Sequence, residues 1–194
     1  MSKLDITPFL STDPLRPLLN AVFYDGEYAN ASNSIVAVRW LDSTAPSPKA
    51  PNLKALFKAK TNSHFFDRID YDVWLNALPK VVSEYDCAVC EGHGQVTWQF
   101  DIYNKEDDCP ECNGKGSVKD SSKIIPQKTP YKIGDALFSQ EVIAKVIHVM
   151  EFFAIYTCDV FEMAPFKLRS ISIDKYEIGI MPLENYADQF GNPY

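Results

Sequence analysis

Two copies of one eight-residue pattern, C-x-x-C-x-G-x-G, constrain this chain more than any other feature of its sequence. They occupy residues 87–94 and 109–116. Two cysteines at this spacing place both sulfurs on one side of a metal ion, at about 2.3 Å from zinc. The glycines let the chain fold back so that backbone N–H groups point at the sulfurs. The paired patterns therefore predict one tetrahedral zinc site whose four thiolate ligands are Cys87, Cys90, Cys109 and Cys112.

Four thiolates close the coordination shell of zinc, because no position remains for an activated water molecule. We therefore expect one structural Zn²⁺ per chain and no catalysis at the metal. The metal centre is also negatively charged, since four thiolates and one Zn²⁺ sum to −2. Glu106, Asp107 and Asp108 add further negative charge to the same segment. We expect a phosphate backbone to avoid this face.

The segment between the two patterns alternates apolar and polar residues from Val96 to Tyr103. A period of two residues is typical of a β-strand. Residues 87–116 are therefore interpreted as a two-stranded finger that zinc holds at its base.

This finger resembles the cysteine-rich zinc module of DnaJ-type co-chaperones, whose C-x-x-C-x-G-x-G units pair to bind zinc. The chain carries two such units where DnaJ has four, and it contains no His-Pro-Asp tripeptide of the kind that marks a J domain. The resemblance implies a zinc-dependent protein-binding module of the co-chaperone class, in which the finger or a neighbouring groove holds extended peptides.

In the rest of the chain, a predicted helix is followed by predicted strands, and this arrangement occurs twice. Asp13-Pro14 is a helix-start signal, and apolar residues at helical spacing follow it, which predicts a helix over residues 12–22. Ser139 caps a second predicted helix over residues 139–150 in the same way. Strands are predicted after the first helix at 22–24, 27–29 and 35–40, and after the second at 152–158, 166–173 and 176–181. The predicted fold class is α+β, with two pseudo-repeated halves in a chain of 194 residues.

Both halves are similar to domains of the bacterial sliding clamp, DNA polymerase III β. Residues 13–22 resemble the clamp helix with its Arg-Pro-x-Leu-x-x-Val run, and residues 178–183 resemble the hydrophobic-Met-Pro-hydrophobic strand that ends a clamp. The resemblance implies a single DNA-clamp-like domain in three parts. The first half, with a Pro-rich connector and extra helices, comprises residues 1–86. The inserted finger comprises residues 87–116, and the second half comprises residues 117–194.

Two candidate contact surfaces follow from this resemblance. The peptide-binding cleft of the clamp family maps onto Val36, Ile180, Met181, Pro182 and Leu183, for which plain core packing is the alternative. Candidate DNA contacts on the two predicted helices are Arg16 and Lys145. A basic patch without acids between residues 42 and 67 adds Lys49, Lys54, Lys58 and Lys60, for which a solvated face is the alternative to phosphate contact.

Several function classes are excluded by composition or by missing motifs. The formal net charge is −7, which excludes a globally basic protein that wraps nucleic acid. No nucleotide-binding, hydrolase or metalloprotease motif occurs, so we expect no enzyme and no small-molecule substrate. The N-terminus lacks an apolar signal segment and no apolar run could span a bilayer, so we expect a cytoplasmic protein without membrane contact.

The sequence as a whole favours a non-enzymatic zinc-binding assembly protein. We expect it to act in DNA processing through a protein partner, through self-association or through weak DNA contact. The alternative is a DnaJ-like, zinc-dependent protein-binding module.

The charge balance generates a prediction about DNA. The isolated protein should bind duplex DNA with a Kd of about 10⁻⁴ M or weaker at physiological salt, as weak non-specific basic patches do. Changing Lys49, Lys54, Lys58 and Lys60 together to Glu should abolish this binding. Fluorescence anisotropy of a labelled duplex at two salt concentrations measures both effects, and tight, salt-insensitive binding would contradict the prediction.

Overall fold

A computed structural model describes residues 4–42, 53, 57, 60–163 and 168–183. The strands and helices within this part are β1 (Phe23–Tyr24), β2 (Tyr28–Ser32), β3 (Val36–Leu41), β4 (Lys60–Asp67), α1 (Arg68–Ala77), β5 (Lys80–Asp86), β6 (Gln95–Phe100), β7 (Tyr103–Asp108), β8 (Ser117–Pro126), β9 (Tyr131–Ile133), β10 (Ala136–Phe138), α2 (Gln140–Phe152), β11 (Thr157–Met163), β12 (Arg169–Ile173) and β13 (Tyr176–Ile180). The described chain is thus a mixed fold, mostly strands with two α-helices. Neither helix is long and apolar enough to cross a membrane.

The chain divides into two compact units. The first contains residues 1–74 and 128–194, and the second contains residues 75–127. The first unit is built on a seven-stranded antiparallel sheet in the order β1-β2-β3-β13-β12-β11-β4. The second unit contains two separate two-stranded ladders, β5 with β8 and β6 with β7.

One face of the seven-stranded sheet is apolar and carries the main core. Val38 lies opposite Ile178 and Trp40 opposite Tyr176, and residues directly opposite each other share a face of the sheet. The Tyr176 ring lies 5.6 Å from the ring of Phe153, directly after α2. The buried residues of α2 complete this core: Val142, Ile143, Val146, Val149 and Met150.

The other face of the sheet carries a part-buried ion pair. Arg39 lies opposite Glu177, and its Nε donates to a Glu177 carboxylate oxygen at 2.6 Å. The guanidinium also stacks 4.3 Å from the centre of the Tyr28 ring and 4.1 Å from that of Phe57. The cation is therefore both charge-paired and desolvated by aromatic rings, which suits arginine better than lysine.

Helix α2 confirms the prediction for residues 139–150. Ser139 is its N-cap, and the Ser139 hydroxyl accepts a hydrogen bond from the Val142 amide at 3.3 Å. The strands predicted at 22–24, 27–29 and 35–40 correspond to β1, β2 and β3. The strand predicted at 176–181 corresponds to β13.

The helix predicted over residues 12–22 is wrong. Only a three-residue 3₁₀ turn forms there, at Pro17–Leu19, and Leu15 is 89% exposed. The Asp13 side chain accepts a hydrogen bond from the Leu15 amide at 2.8 Å, so it stabilises a local turn. Pro17 has no amide hydrogen to donate to the Asp13 carbonyl, so the α-helical ladder cannot continue past it. The first half thus lacks the helix that the predicted two-repeat architecture requires, and that architecture is not confirmed.

The predicted strand boundaries also shift in the second half. Phe152, predicted to begin a strand, ends α2, and β11 begins only at Thr157. Ala154 has a positive φ of 54°, which turns the chain after the helix. The amide of Ile155 then donates to the Met150 carbonyl at 2.8 Å, so these residues close the helix instead of pairing in the sheet.

Some predictions fall on residues outside the described part of the chain. They are the Pro-rich connector at residues 45–51, the first two residues of the strand predicted at 166–173, which otherwise corresponds to β12, and three lysines of the basic patch: Lys49, Lys54 and Lys58. Lys60, the fourth, lies at the start of β4.

The absence of a helix at residues 12–22 predicts unequal costs for two apolar substitutions. Leu15→Ala should change the free energy of unfolding by less than about 0.5 kcal/mol, because the side chain is in solvent. Ile143→Ala should cost about 2–5 kcal/mol, because Ile143 is fully buried in α2. Urea unfolding followed by circular dichroism measures both, and comparable losses would show that the N-terminal segment packs as the predicted helix.

Candidate metal centre

The two cysteine patterns fold into equivalent turns that exchange hydrogen bonds. The Cys87 amide donates to the Gly116 carbonyl, and the Cys109 amide donates to the Gly94 carbonyl, both at 2.8 Å. Within the turns, the Gly94 amide donates to Cys90 Sγ and the Gly116 amide donates to Cys112 Sγ, both at 3.2 Å. The N–H groups thus point at sulfurs, as the glycine spacing predicts, and they stabilise thiolate charge.

The sulfur geometry suits a tetrahedral metal site. Cys87 Sγ lies 3.7 Å from Cys109 Sγ, and Cys90 Sγ lies 3.7 Å from Cys112 Sγ. A tetrahedron of sulfurs at about 2.3 Å from a central ion has edges of about 3.8 Å. All four sulfurs lie within 4.8 Å of one another, every one of these cysteines is buried, and none forms a disulfide. The four cysteines could therefore hold one metal ion.

Backbone packing between the turns leaves no room for side chains at two glycines. A Cβ added to Gly94 would lie 2.5 Å from the Gly114 carbonyl oxygen, and one added to Gly116 would lie 2.3 Å from the Gly92 carbonyl oxygen. Both residues also have positive φ, 78° for Gly94 and 76° for Gly116. The last glycine of each C-x-x-C-x-G-x-G pattern is therefore required by the close approach of the backbone as well as by its positive φ.

Burial raises the pKa of one thiol within the cluster and of the one cysteine outside it. Burial raises the pKa of the Cys90 thiol to about 11, although the Gly94 amide opposes that shift. A metal ion must therefore displace a proton from this thiol when it binds. Burial also raises the pKa of Cys158, in β11, to about 12. That thiol stays protonated at neutral pH, which suits a packing residue better than a nucleophile.

The candidate metal centre, which is the cluster of Cys87, Cys90, Cys109 and Cys112, lies between the two ladders of the second unit. Strand β5 pairs with β8, and the ladder begins where Lys80 lies opposite Pro126. It ends where Asp86 lies opposite Ser117, next to the cysteine turns. Strands β6 and β7 form a hairpin between the two patterns, with its turn at Asp101 and Ile102. This confirms two strands within residues 87–116, whereas the β5–β8 ladder was not predicted.

Only one histidine neighbours the cluster in sequence, and it lies outside the group of four sulfurs. His93 is exposed and does not belong to the group of four sulfurs. Val96 and Val118 pack against the cysteines instead.

The described candidate DNA contacts are all paired within the chain. Lys60 Nζ donates to the Ser172 hydroxyl at 2.6 Å and lies 3.5 Å from Glu177. Lys145 Nζ lies 2.7 Å from a Glu141 oxygen. Arg16 pairs with Asp13 at 3.3 Å and also donates to Ser34. Their contact with DNA stays a prediction.

The residues of the candidate peptide cleft differ in accessibility. Val36 and Ile180 lie opposite each other in the sheet and are fully buried, so they offer no surface to a partner in this structure. Met181 is exposed, while Pro182 and Leu183 are half-buried. The peptide-binding role of this group stays a prediction.

A second polar cluster lies in the first unit and was not predicted. His64 Nε2 lies 3.0 Å from a Glu162 oxygen, and Arg169 Nη2 lies 2.7 Å from Asp135 and 3.5 Å from Glu162. The hydrogen bond to His64 lowers the pKa of Glu162, and that to Arg169 lowers the pKa of Asp135. The guanidinium already supplies a cation between the two carboxylates, so this cluster ties the turn between β9 and β10 to the sheet.

Comparison with known proteins finds a weak similarity among solved structures. No family profile matches the chain, and no curated protein matches its sequence. Among solved structures, the DNA polymerase sliding clamp from Bacillus subtilis is similar, with a TM-score of 0.45 and 10% sequence identity. The match covers 92% of this chain and 60% of the clamp chain, so this chain spans less than two thirds of the clamp's length.

The interlocked turns predict different effects for two alanine substitutions. Gly92→Ala should cost about 1–2 kcal/mol, because a positive φ strains an L-residue while its Cβ meets only the Asp86 side chain. Gly94→Ala should in addition abolish amide protection across residues 87–116, because its Cβ meets a backbone carbonyl. Hydrogen exchange measured by NMR tests this, and equal protection in the two variants would contradict the interlocked geometry.

Proposed function

We propose that this chain is a non-enzymatic zinc-binding protein that acts by contact with other proteins. One structural Zn²⁺, bound by Cys87, Cys90, Cys109 and Cys112, holds residues 75–127 in the shape that makes the contact. The observation that carries the proposal is the buried cluster of four unpaired sulfurs with tetrahedral spacing.

Ligand chemistry supports zinc over other metals. Four thiolates in tetrahedral geometry favour zinc or iron–sulfur chemistry, whereas magnesium and calcium prefer oxygen ligands. Two C-x-x-C turns around a single ion are typical of structural zinc. Because the four sulfurs fill the coordination shell, the proposal includes no catalysis at the metal and no small-molecule substrate.

The composition of the second unit gives the metal a structural role. Its buried hydrophobic residues are the four cysteines alone, among residues 75–127. Two-stranded ladders are marginally stable in water unless something else packs against them. A metal bound by the four cysteines would supply the cross-links that this unit needs in place of an apolar core.

Surface chemistry supports a protein partner. Four large apolar residues are exposed around the turn of the β6–β7 hairpin: Trp98, Phe100, Ile102 and Tyr103. Exposed apolar clusters of this kind mark contact surfaces, and aromatic residues dominate the energetics of protein interfaces. The acidic balance of the chain opposes direct binding to nucleic acid.

The same proposal includes the cellular setting of this contact, which the resemblance of the sequence to the clamp family suggests. We place the protein in the cytoplasm, in assemblies that process DNA. There the first unit would contribute through self-association, a protein partner or weak DNA contact.

A DnaJ-like protein-binding module is the second candidate function. The exposed aromatic hairpin supports it, because a protein that holds unfolded chains needs accessible apolar surface. The two candidates differ in their ligand, which is an unfolded chain for the co-chaperone class and a folded partner for an assembly protein. Suppression of aggregation of a denatured test protein at equimolar ratio would favour the co-chaperone class.

Elemental analysis tests the metal directly. The purified protein should contain one zinc per chain, and Cys109→Ser should lose it, because a neutral hydroxyl is a far weaker ligand than a thiolate. In the Ser variant, amide protection should collapse across residues 87–116 while α2 and β13 keep theirs, because their core is separate.

Cys158→Ser is the matched control, since this cysteine lies in β11 outside the cluster. It should keep one zinc per chain. Absence of zinc from the unmodified protein, or two zinc ions per chain, would contradict the proposal.

A further inference from the structure

The β6–β7 hairpin has two chemically different faces. Its register places Val96 opposite Asp107, Trp98 opposite Lys105 and Phe100 opposite Tyr103. Directly opposite residues share a face, so the aromatic residues of both strands project on one side. The intervening pairs, Thr97–Glu106 and Gln99–Asn104, project on the other side and are polar.

The apolar face runs from the metal centre to the hairpin turn. Val96 is half-buried against the four cysteines. Beyond it, Trp98 is 53% exposed, Phe100 83%, Tyr103 73% and Ile102, in the turn, 81%. We refer to Trp98, Phe100, Ile102 and Tyr103 as the aromatic face. An unpartnered hairpin has little reason to place such residues in water, since covering them gains about 25 cal/mol for each Å² of apolar surface.

The hairpin that carries the aromatic face is acidic. Residues 95–108 contain four acids and one lysine. That lysine, Lys105, is paired with Asp107 at 2.7 Å. Asp101 lies in the turn beside the aromatic face and Asp107 lies on the same face nearer the metal centre, whereas Glu106 and Asp108 project on the polar side. The aromatic face is therefore bordered by one acid at the turn and by another towards the metal centre.

We propose that the aromatic face is a docking surface for a partner protein whose apolar groove is bordered by lysine or arginine. This inference deepens the proposed function and depends on it, because the metal centre holds the base of the hairpin. The aromatic residues would fill the groove, and the acids would meet the cations at its border. Charge complementarity of this kind sets the choice of partner and the rate of association.

The charge of the hairpin disfavours two other occupants of the aromatic face, which are a second copy of this chain and single-stranded nucleic acid. A second copy of this chain, packed aromatic face to aromatic face, would bring together two hairpins that each carry four acids and one lysine. Single-stranded nucleic acid can stack its bases on aromatic side chains, but it also needs a positively charged groove for its phosphates. The one cation on this hairpin is already paired with an acid.

A synthetic probe tests the inference without knowledge of the partner. The probe is a short fluorescein-labelled peptide in which leucine alternates with lysine, and its two counterparts carry glutamine or glutamate in place of lysine. Fluorescence anisotropy should show that the lysine peptide binds at least about tenfold more tightly than the glutamate peptide, and that added salt weakens it. Asp101→Asn combined with Asp107→Asn should reduce this preference.

Variants on the two faces of β6 locate the contact. Trp98→Ala combined with Phe100→Ala should weaken binding of the lysine peptide at least about tenfold, as expected for aromatic interface anchors. Thr97→Ala combined with Gln99→Ala is the matched control on the polar face and should leave the Kd within about twofold. Equal losses in both variants, or none in either, would overturn the inference.

Two further measurements distinguish the ways in which this inference can fail. A labelled single-stranded oligonucleotide that binds more tightly than the lysine peptide would assign the aromatic face to nucleic acid instead. Zinc is measured on every sample. If the unmodified protein holds one zinc per chain but does not prefer the lysine peptide, this inference is wrong while the metal assignment stands. If zinc is missing, the proposed function itself fails.

Discussion

In our proposal, the attraction between four cysteine thiolates and one cation is the interaction on which the second unit depends. That unit has no apolar core of its own, because its buried hydrophobic residues are the four cysteines. The first unit is different, since both its sheet and α2 carry buried apolar residues, among them Ile178 and Ile143. One chain thus combines a unit that ordinary burial stabilises with a unit that we infer a metal ion stabilises.

The two cysteine turns also determine where the hairpin begins. Each cysteine turn hydrogen-bonds to the other through the pairs Cys87–Gly116 and Cys109–Gly94, so the turns form as one structure. Strand β6 begins directly after Gly94 and β7 ends directly before Cys109. Val96 joins the cysteine cluster to the exposed aromatic face. In our proposal, loss of the metal therefore removes the docking surface without direct damage to it.

Local signals in the sequence predicted part of this structure correctly. The four clustered cysteines follow from spacing alone, because each pair is only three residues apart. Helix α2 follows from Ser139 and one apolar stripe, and both are local. The error at residues 12–22 is also local in origin. Apolar spacing indicated a helix there, but the Asp13 side chain and Pro17 favour a turn, and no core covers Leu15.

Long-range pairings account for what the sequence could not predict. Strands β5 and β8 join residues as far apart as Lys80 and Pro126, and neither strand alternates apolar and polar residues regularly. The cluster of His64, Asp135, Glu162 and Arg169 assembles from β4, β11, β12 and a turn, so no spacing rule could reveal it. Both features depend on topology, which is settled by the packing of the whole unit.

Zinc K-edge X-ray absorption on the purified protein tests the central claim most directly, because it reports both the element and its ligands. The proposal predicts one zinc per chain with four sulfur neighbours at about 2.3 Å and no nitrogen or oxygen neighbour. A shell that contains nitrogen or oxygen, or a sample without zinc, would contradict it.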